Sequence, residues 1–130
     1  MMVTLFIFMI SLLLLHEMDA IRTKEWKMFF ILKDIPDEKA YKIFTLFHFP
    51  LYFCIFMVMV HGENLATNIL YLILDIFLIG HSIIHFCFRK KSNNRLSSLF
   101  SKSIIYSLGI LAILHLLLML FNHLGICQFW

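Results

Sequence analysis

The sequence predicts an all-α fold: a four-helix transmembrane bundle with both termini outside and both basic loops in the cytoplasm. Three observations predict it. First, 62% of the 130 residues are hydrophobic and only 15% are charged, whereas a soluble domain is nearer half apolar and a quarter charged. A body this small keeps too much surface for its volume to hide that excess from water. Second, the apolar residues gather into four runs, each near the length of a spanning helix. Third, all eleven Lys and Arg fall within two of the connecting segments. Composition therefore excludes a soluble enzyme, a disordered chain, a collagen and a disulfide-stapled module. It leaves a single integral membrane domain over residues 1–130.

The first run, Met1–Leu15, carries no charge and can continue as helix through His16–Ile21, giving a span over 1–21. The second span, Ile43–Val60, holds one ionisable residue, His48. The third, Ile69–Phe88, holds Asp75, His81 and His85, and the fourth, Ile104–Phe121, holds His115. A spanning helix needs roughly 20 apolar residues at about 1.5 Å each. Spanning strands would be shorter and would alternate apolar with polar positions. Hydrocarbon satisfies no backbone groups, so helices are the solution these runs allow. Between the second and third spans, HGENLATN at 61–68 makes a tight turn with Gly62 and Asn64 as breakers. Residues 89–103 form a basic polar loop, and 22–42 a longer mixed one. Within the latter, EWKMFFIL sets Trp26, Met28, Phe29 and Phe30 among lysines. Such a stretch suits an interfacial helix over about 22–33 or a surface loop with apolar anchors. Pro36 marks the turn into the second span. The first run lacks the basic leader and small-residue cleavage site of a signal peptide.

Charge sets the orientation. Arg22, Lys24, Lys27, Lys33, Lys39 and Lys42 lie between spans one and two; Arg89, Lys90, Lys91, Arg95 and Lys102 lie between spans three and four. Positive loops stay in the cytoplasm. The net charge of +3 then reads as topology and contact with anionic lipid heads, with no nucleic-acid partner. Cys54, Cys87 and Cys127 match neither a disulfide framework nor a CxxC site and read as small apolar residues.

With the topology set, each polar residue acquires a depth. Counted from the cytoplasmic ends, His16 closes span one, His48 lies about 9 Å inside span two, and His85 and His81 lie about 6 and 12 Å inside span three. Four histidines from three helices thus share one layer. His81 and His85, at i and i+4, also share a helix face. Asp75 and His115 lie deeper, about 20 and 18 Å down, where an unpaired charge is expensive. They can pair with each other, or Asp75 can be protonated.

An HxxxH on a helix can bring two imidazoles to one metal ion, and His16 or His48 can add a third. Zinc or iron fits such donors. Glu17 or Asp19 can serve as a further ligand, as a hydrogen-bond acceptor behind a ligand, or as a general base. The expected site is therefore His16, His48, His81 and His85 as metal ligands, with Glu17 and Asp75 in catalytic roles. Each histidine taken alone is more often an inter-helix hydrogen bonder than a ligand; it is the four together that point to a site. Glu25 can reach back to the site, pair with Arg22, or stay on a solvated face. Pro50 removes a backbone bond beside His48, opening space there or leaving the span unchanged. The corresponding function is a metal-dependent enzyme, of hydrolase or oxidase type, on a lipid-like substrate. Two alternatives remain open. One is a haem-b electron carrier with His48 opposite His81 or His85. The other is a non-catalytic channel, transporter or assembly subunit that forms homo-oligomers.

Three strings carry a resemblance: HEMDAIRTKEWKMF at 16–29, HFPL at 48–51 and DIFLIGHSIIH at 75–85. Together they resemble an uncharacterised family of small bacterial four-span membrane proteins, over most of the chain. That resemblance implies a bacterial cytoplasmic membrane location and brings no assigned activity. It singles out His16, Glu17, Asp19, Glu25, Trp26, His48, Asp75, His81 and His85. By chemistry alone the residue types are also similar to those of membrane zinc hydrolases of the ceramidase and adiponectin-receptor type, which have more spans.

Overall fold

The computed structural model describes residues 2–29, 31–61, 64–88 and 98–125. The basic run at 89–95, Gly62, Phe30 and Cys127 lie outside them. Among the described residues there are four long helices and no strand: α1 (Met2–Thr23), α2 (Asp37–His61), α3 (Leu65–Phe88) and α4 (Leu99–His123). Each is long and apolar enough to cross a membrane. The all-helical, four-helix expectation is met. α2 passes through Pro50 as one continuous helix.

Side-chain pairs at matching ends fix the directions. His16 meets His81 and His85, so α1 runs parallel to α3. Asp19 near the end of α1 meets Ser101 at the start of α4, so those two are antiparallel. Glu17 of α1 meets His48 of α2, while α2 packs chiefly on α3. The result is an up-down bundle, with the end of α1, the start of α2, the end of α3 and the start of α4 at one end.

α4 carries the two broadest interfaces, one with α1 and one with α3. Its buried face repeats at Ser101, Ile105, Leu108, Ala112 and His115, the stripe spacing of a packed helix. Lipid is as apolar as leucine, so close packing rather than burial holds spanning helices together. Gly109 supplies the close approach: a Cβ there would lie 2.6 Å from Ser82 Oγ. The Ser82 hydroxyl donates to the Ile105 carbonyl at 3.0 Å. Phe6, Met9, Leu13, Leu74, Leu78 and Leu108 fill the interior. α2 lies against α3 and leaves Phe47, Phe49, Phe56 and Val60 exposed, a face suited to acyl chains.

The segment after α1 folds back over this end. The Thr23 hydroxyl donates to the Asp19 carbonyl at 2.8 Å. Lys24 then takes the left-handed conformation, φ 55°, and stops the helix without a glycine. Only one turn of 3-10 helix follows, Glu25–Met28. Asp37 clamps it: Lys24 Nζ lies 2.6 Å from one carboxylate oxygen and Lys27 Nζ 2.8 Å from the other. Trp26 consequently turns inward and packs with Ala20, Leu32, Ala40 and Phe44. This cap brings Glu25 to the end of the bundle.

Candidate metal centre

The cap and two helices supply the donors. His16 comes from the last turns of α1, His81 and His85 from the last two turns of α3, and Glu25 from the cap. One ligand atom from each lies within 4.8 Å of all the others. His16 Nε2 is 2.8 Å from His81 Nε2. His85 Nε2 donates to Glu25 Oε1 at 2.9 Å. His16 Nε2 lies 3.4 Å from Glu25 Oε2, and His81 Nε2 lies 3.8 Å from Glu25 Oε1. All three rings therefore turn Nε2 toward one point. His16, Glu25 and His85 are buried, and His81 is partly exposed, with 14% of its side chain accessible.

Burial alone would raise the Glu25 carboxyl, but the hydrogen bond from His85 and then the charge of the surrounding imidazoles outweigh it. The group is held below its ordinary range. Three imidazoles and one carboxylate form a donor set that suits first-row divalent metals. Glu25 Oε2 has no hydrogen-bond partner among the described residues, although it is buried. A buried carboxylate oxygen is ordinarily satisfied, and a cation among the three rings would satisfy this one.

The remaining expected residues go elsewhere. His48 is not among the four converging donors. Its Nδ1 bonds the Phe44 carbonyl at 2.6 Å and its Nε2 meets Glu17 at 2.7 Å, so both ring nitrogens are engaged. His48 is thus held between a carbonyl and a carboxylate, both of them acceptors. Asp19 is occupied as well. Arg22 donates to its Oδ1 from Nε at 3.0 Å and from the terminal nitrogen at 2.7 Å, and the Ser101 hydroxyl donates to Oδ2. Arg22 thus pairs with Asp19 and leaves Glu25 to the histidines. Asp75 is not among the converging donors; its Oδ2 lies 2.8 Å from His115 Nδ1.

Comparison with known families bears on the whole chain. The model of a family of unknown function, DUF6713, matches residues 2–122. The chain belongs to the DUF6713 family. The family carries no assigned function, so the site must be read from its own chemistry. No curated protein and no solved structure matches the chain.

Sequence reasoning left Glu25 with three destinations and did not name Ser101 at all. The signal for Glu25 was weak but present: a carboxylate next to Trp26, just past the His16 helix end. For Ser101 there was no signal, because a serine near a helix start reads first as a cap. Ser98 does fill that role, its hydroxyl accepting from the Ser101 amide at 3.0 Å.

Proposed function

We propose that this member of the family is an integral membrane metalloprotein, with both termini outside and the cap end toward the cytoplasm. His16, Glu25, His81 and His85 hold one divalent ion, zinc or iron. One observation carries the reading: four donors from three separate segments converge within 4.8 Å. A carboxylate converging with three imidazoles suits a bare ion better than the pair of facing axial imidazoles that a b-type haem takes.

The activity this arrangement suits best is that of a metal-dependent enzyme on a lipid-like substrate. When bound, the ion would supply Lewis acidity at a site that excludes bulk water. Zinc held by all four donors would be coordinatively complete, whereas iron favours more ligands and keeps positions open. The partly exposed His81 marks the side where a substrate would approach. His48 of α2, with 17% of its side chain accessible, pairs with Glu17 of α1. That pair can take or give a proton beside the centre. The apolar face of α2 suits acyl chains next to this opening.

Metal content by mass spectrometry, read together with an absorption spectrum, tests the proposal. One zinc or iron per chain is expected in protein purified without chelator, without a Soret band. His85→Ala and Glu25→Ala should each lose most of it. A wild-type protein with no stoichiometric metal, or variants with unchanged content, would overturn the reading.

A further inference from the structure

A second polar pair lies in the bundle, apart from the four converging donors. Asp75 on α3 and His115 on α4 are both fully buried, and Asp75 Oδ2 is 2.8 Å from His115 Nδ1. Each also has a second buried polar atom, Asp75 Oδ1 and His115 Nε2, with no hydrogen-bond partner among the described residues. A purely structural tie would be expected to satisfy its own atoms. The α3–α4 interface has a second tie besides this pair, in the close approach of Gly109 to Ser82 and the bond from Ser82 to the Ile105 carbonyl.

The surroundings are asymmetric. Toward the cap end, Leu78 lies between Asp75 and His81 along α3, Leu108 between His115 and Ser101 along α4, and Leu13 precedes His16 on α1; these fully buried leucines belong to one apolar cluster and make up the apolar layer on that side. Toward the other end, Thr67 and Tyr71 precede Asp75 at i−8 and i−4 on one face of α3, and both are buried. Tyr71 reaches His115, with ring centroids 5.2 Å apart, and Phe6 of α1 packs on the same imidazole at 5.6 Å. The other titratable groups near this core are Tyr52 and Cys54 of α2, at its margin. α1 contributes none between Met2 and Leu15.

We propose that Asp75 and His115 form a proton-binding site in the middle of the bundle, loaded from the end opposite the cap along the Thr67–Tyr71 face. The ligand is one proton, shared between a carboxylate and an imidazole. With Nδ1–H donated to the carboxylate, the pair carries one negative charge in an apolar interior. Taking one proton from hydronium leaves water behind and makes the pair neutral, as a carboxylate with an imidazolium or as a carboxylic acid with a neutral ring. Apolar surroundings penalise net charge, so the site has a reason to bind the proton. The apolar layer keeps it from exchanging with the cap end. The proposal does not depend on the metal centre.

Infrared difference spectra between acid and alkaline buffer, on protein in lipid nanodiscs with carbon-labelled Asp, test it. A pH-dependent signal from a buried aspartate is expected in wild type. It should be lost in Asp75→Asn, displaced in His115→Gln, and slower to appear after a pH jump in Tyr71→Phe. Should Asp75→Asn fail to fold, Asp75→Glu keeps the acid and must move the signal out of the labelled-Asp spectrum. A wild type with no such titrating signal, or one that survives unchanged in the Asp75 variants, would overturn the proposal. Equal rates in Tyr71→Phe and wild type would overturn the route.

Discussion

At the scale of single residues, chemistry is decided by which partner a ring nitrogen finds. His48 shares its layer with His16, His81 and His85, yet its two nitrogens are taken by Glu17 and the Phe44 carbonyl. His48→Gln should therefore leave metal content unchanged, while His16→Ala should lose it; parallel metal analysis of the two variants decides. A His48 variant that loses metal would instead make His48 a ligand. Asp19 is a different kind of residue, a buried acceptor joining α1 to α4. Asp19→Ala removes the acceptor of Arg22 and Ser101 and should cost about 1–3 kcal/mol, seen as a lower melting temperature in detergent. Much of this was legible beforehand, and the boundary has a physical reason. Counting residues along a span gives depth, which placed the four histidines in one layer. It does not give the rotation of each helix about its axis, so it could not separate His48 from the others. Only the i, i+4 pair escaped this limit, because that spacing fixes a shared face without knowledge of the neighbours.

For the helices themselves, the apolar runs were a sufficient guide to α1–α4, since twenty consecutive apolar residues have one stable form in hydrocarbon. The cap was not legible. Its single 3-10 turn depends on the left-handed Lys24 and on Asp37 clamping two lysines from thirteen and ten residues away, contacts that exist only once α2 is in place. The position of Glu25 follows from them. Helix packing yields a paired prediction. Gly109→Ala drives a methyl group into Ser82, with the ideal Cβ 2.6 Å from Oγ and 2.7 Å from Cβ, and should destabilise by about 1–3 kcal/mol. Gly80→Ala meets nothing within 4 Å and should be neutral or stabilising by up to about 1 kcal/mol. Thermal unfolding of the two variants under one condition would show the contrast; equal losses would contradict the α3–α4 packing.

Taken whole, the molecule has one end tied by chemistry as well as by packing. Glu25 reaches imidazoles from both α1 and α3, so a bound ion would hold the cap to the bundle. Removing it with a chelator should speed tryptic cleavage at Lys24, Lys27 and Lys33, as followed by mass spectrometry, and restoring the ion should slow it. Cleavage at one rate with and without the ion would mean that the cap stands on the Asp37 clamp and Trp26 packing alone. The apolar layer of Leu13, Leu78 and Leu108 has an electrical consequence besides. A voltage across a bilayer falls mostly over its least polarisable slab. With the chain placed in a membrane as proposed, the Asp75–His115 pair and the histidine cluster would lie at different depths and so at different potentials when that membrane is energised. Any charge displaced from one to the other would feel part of a drop worth about 2.3 kcal/mol per charge per 100 mV across the whole membrane.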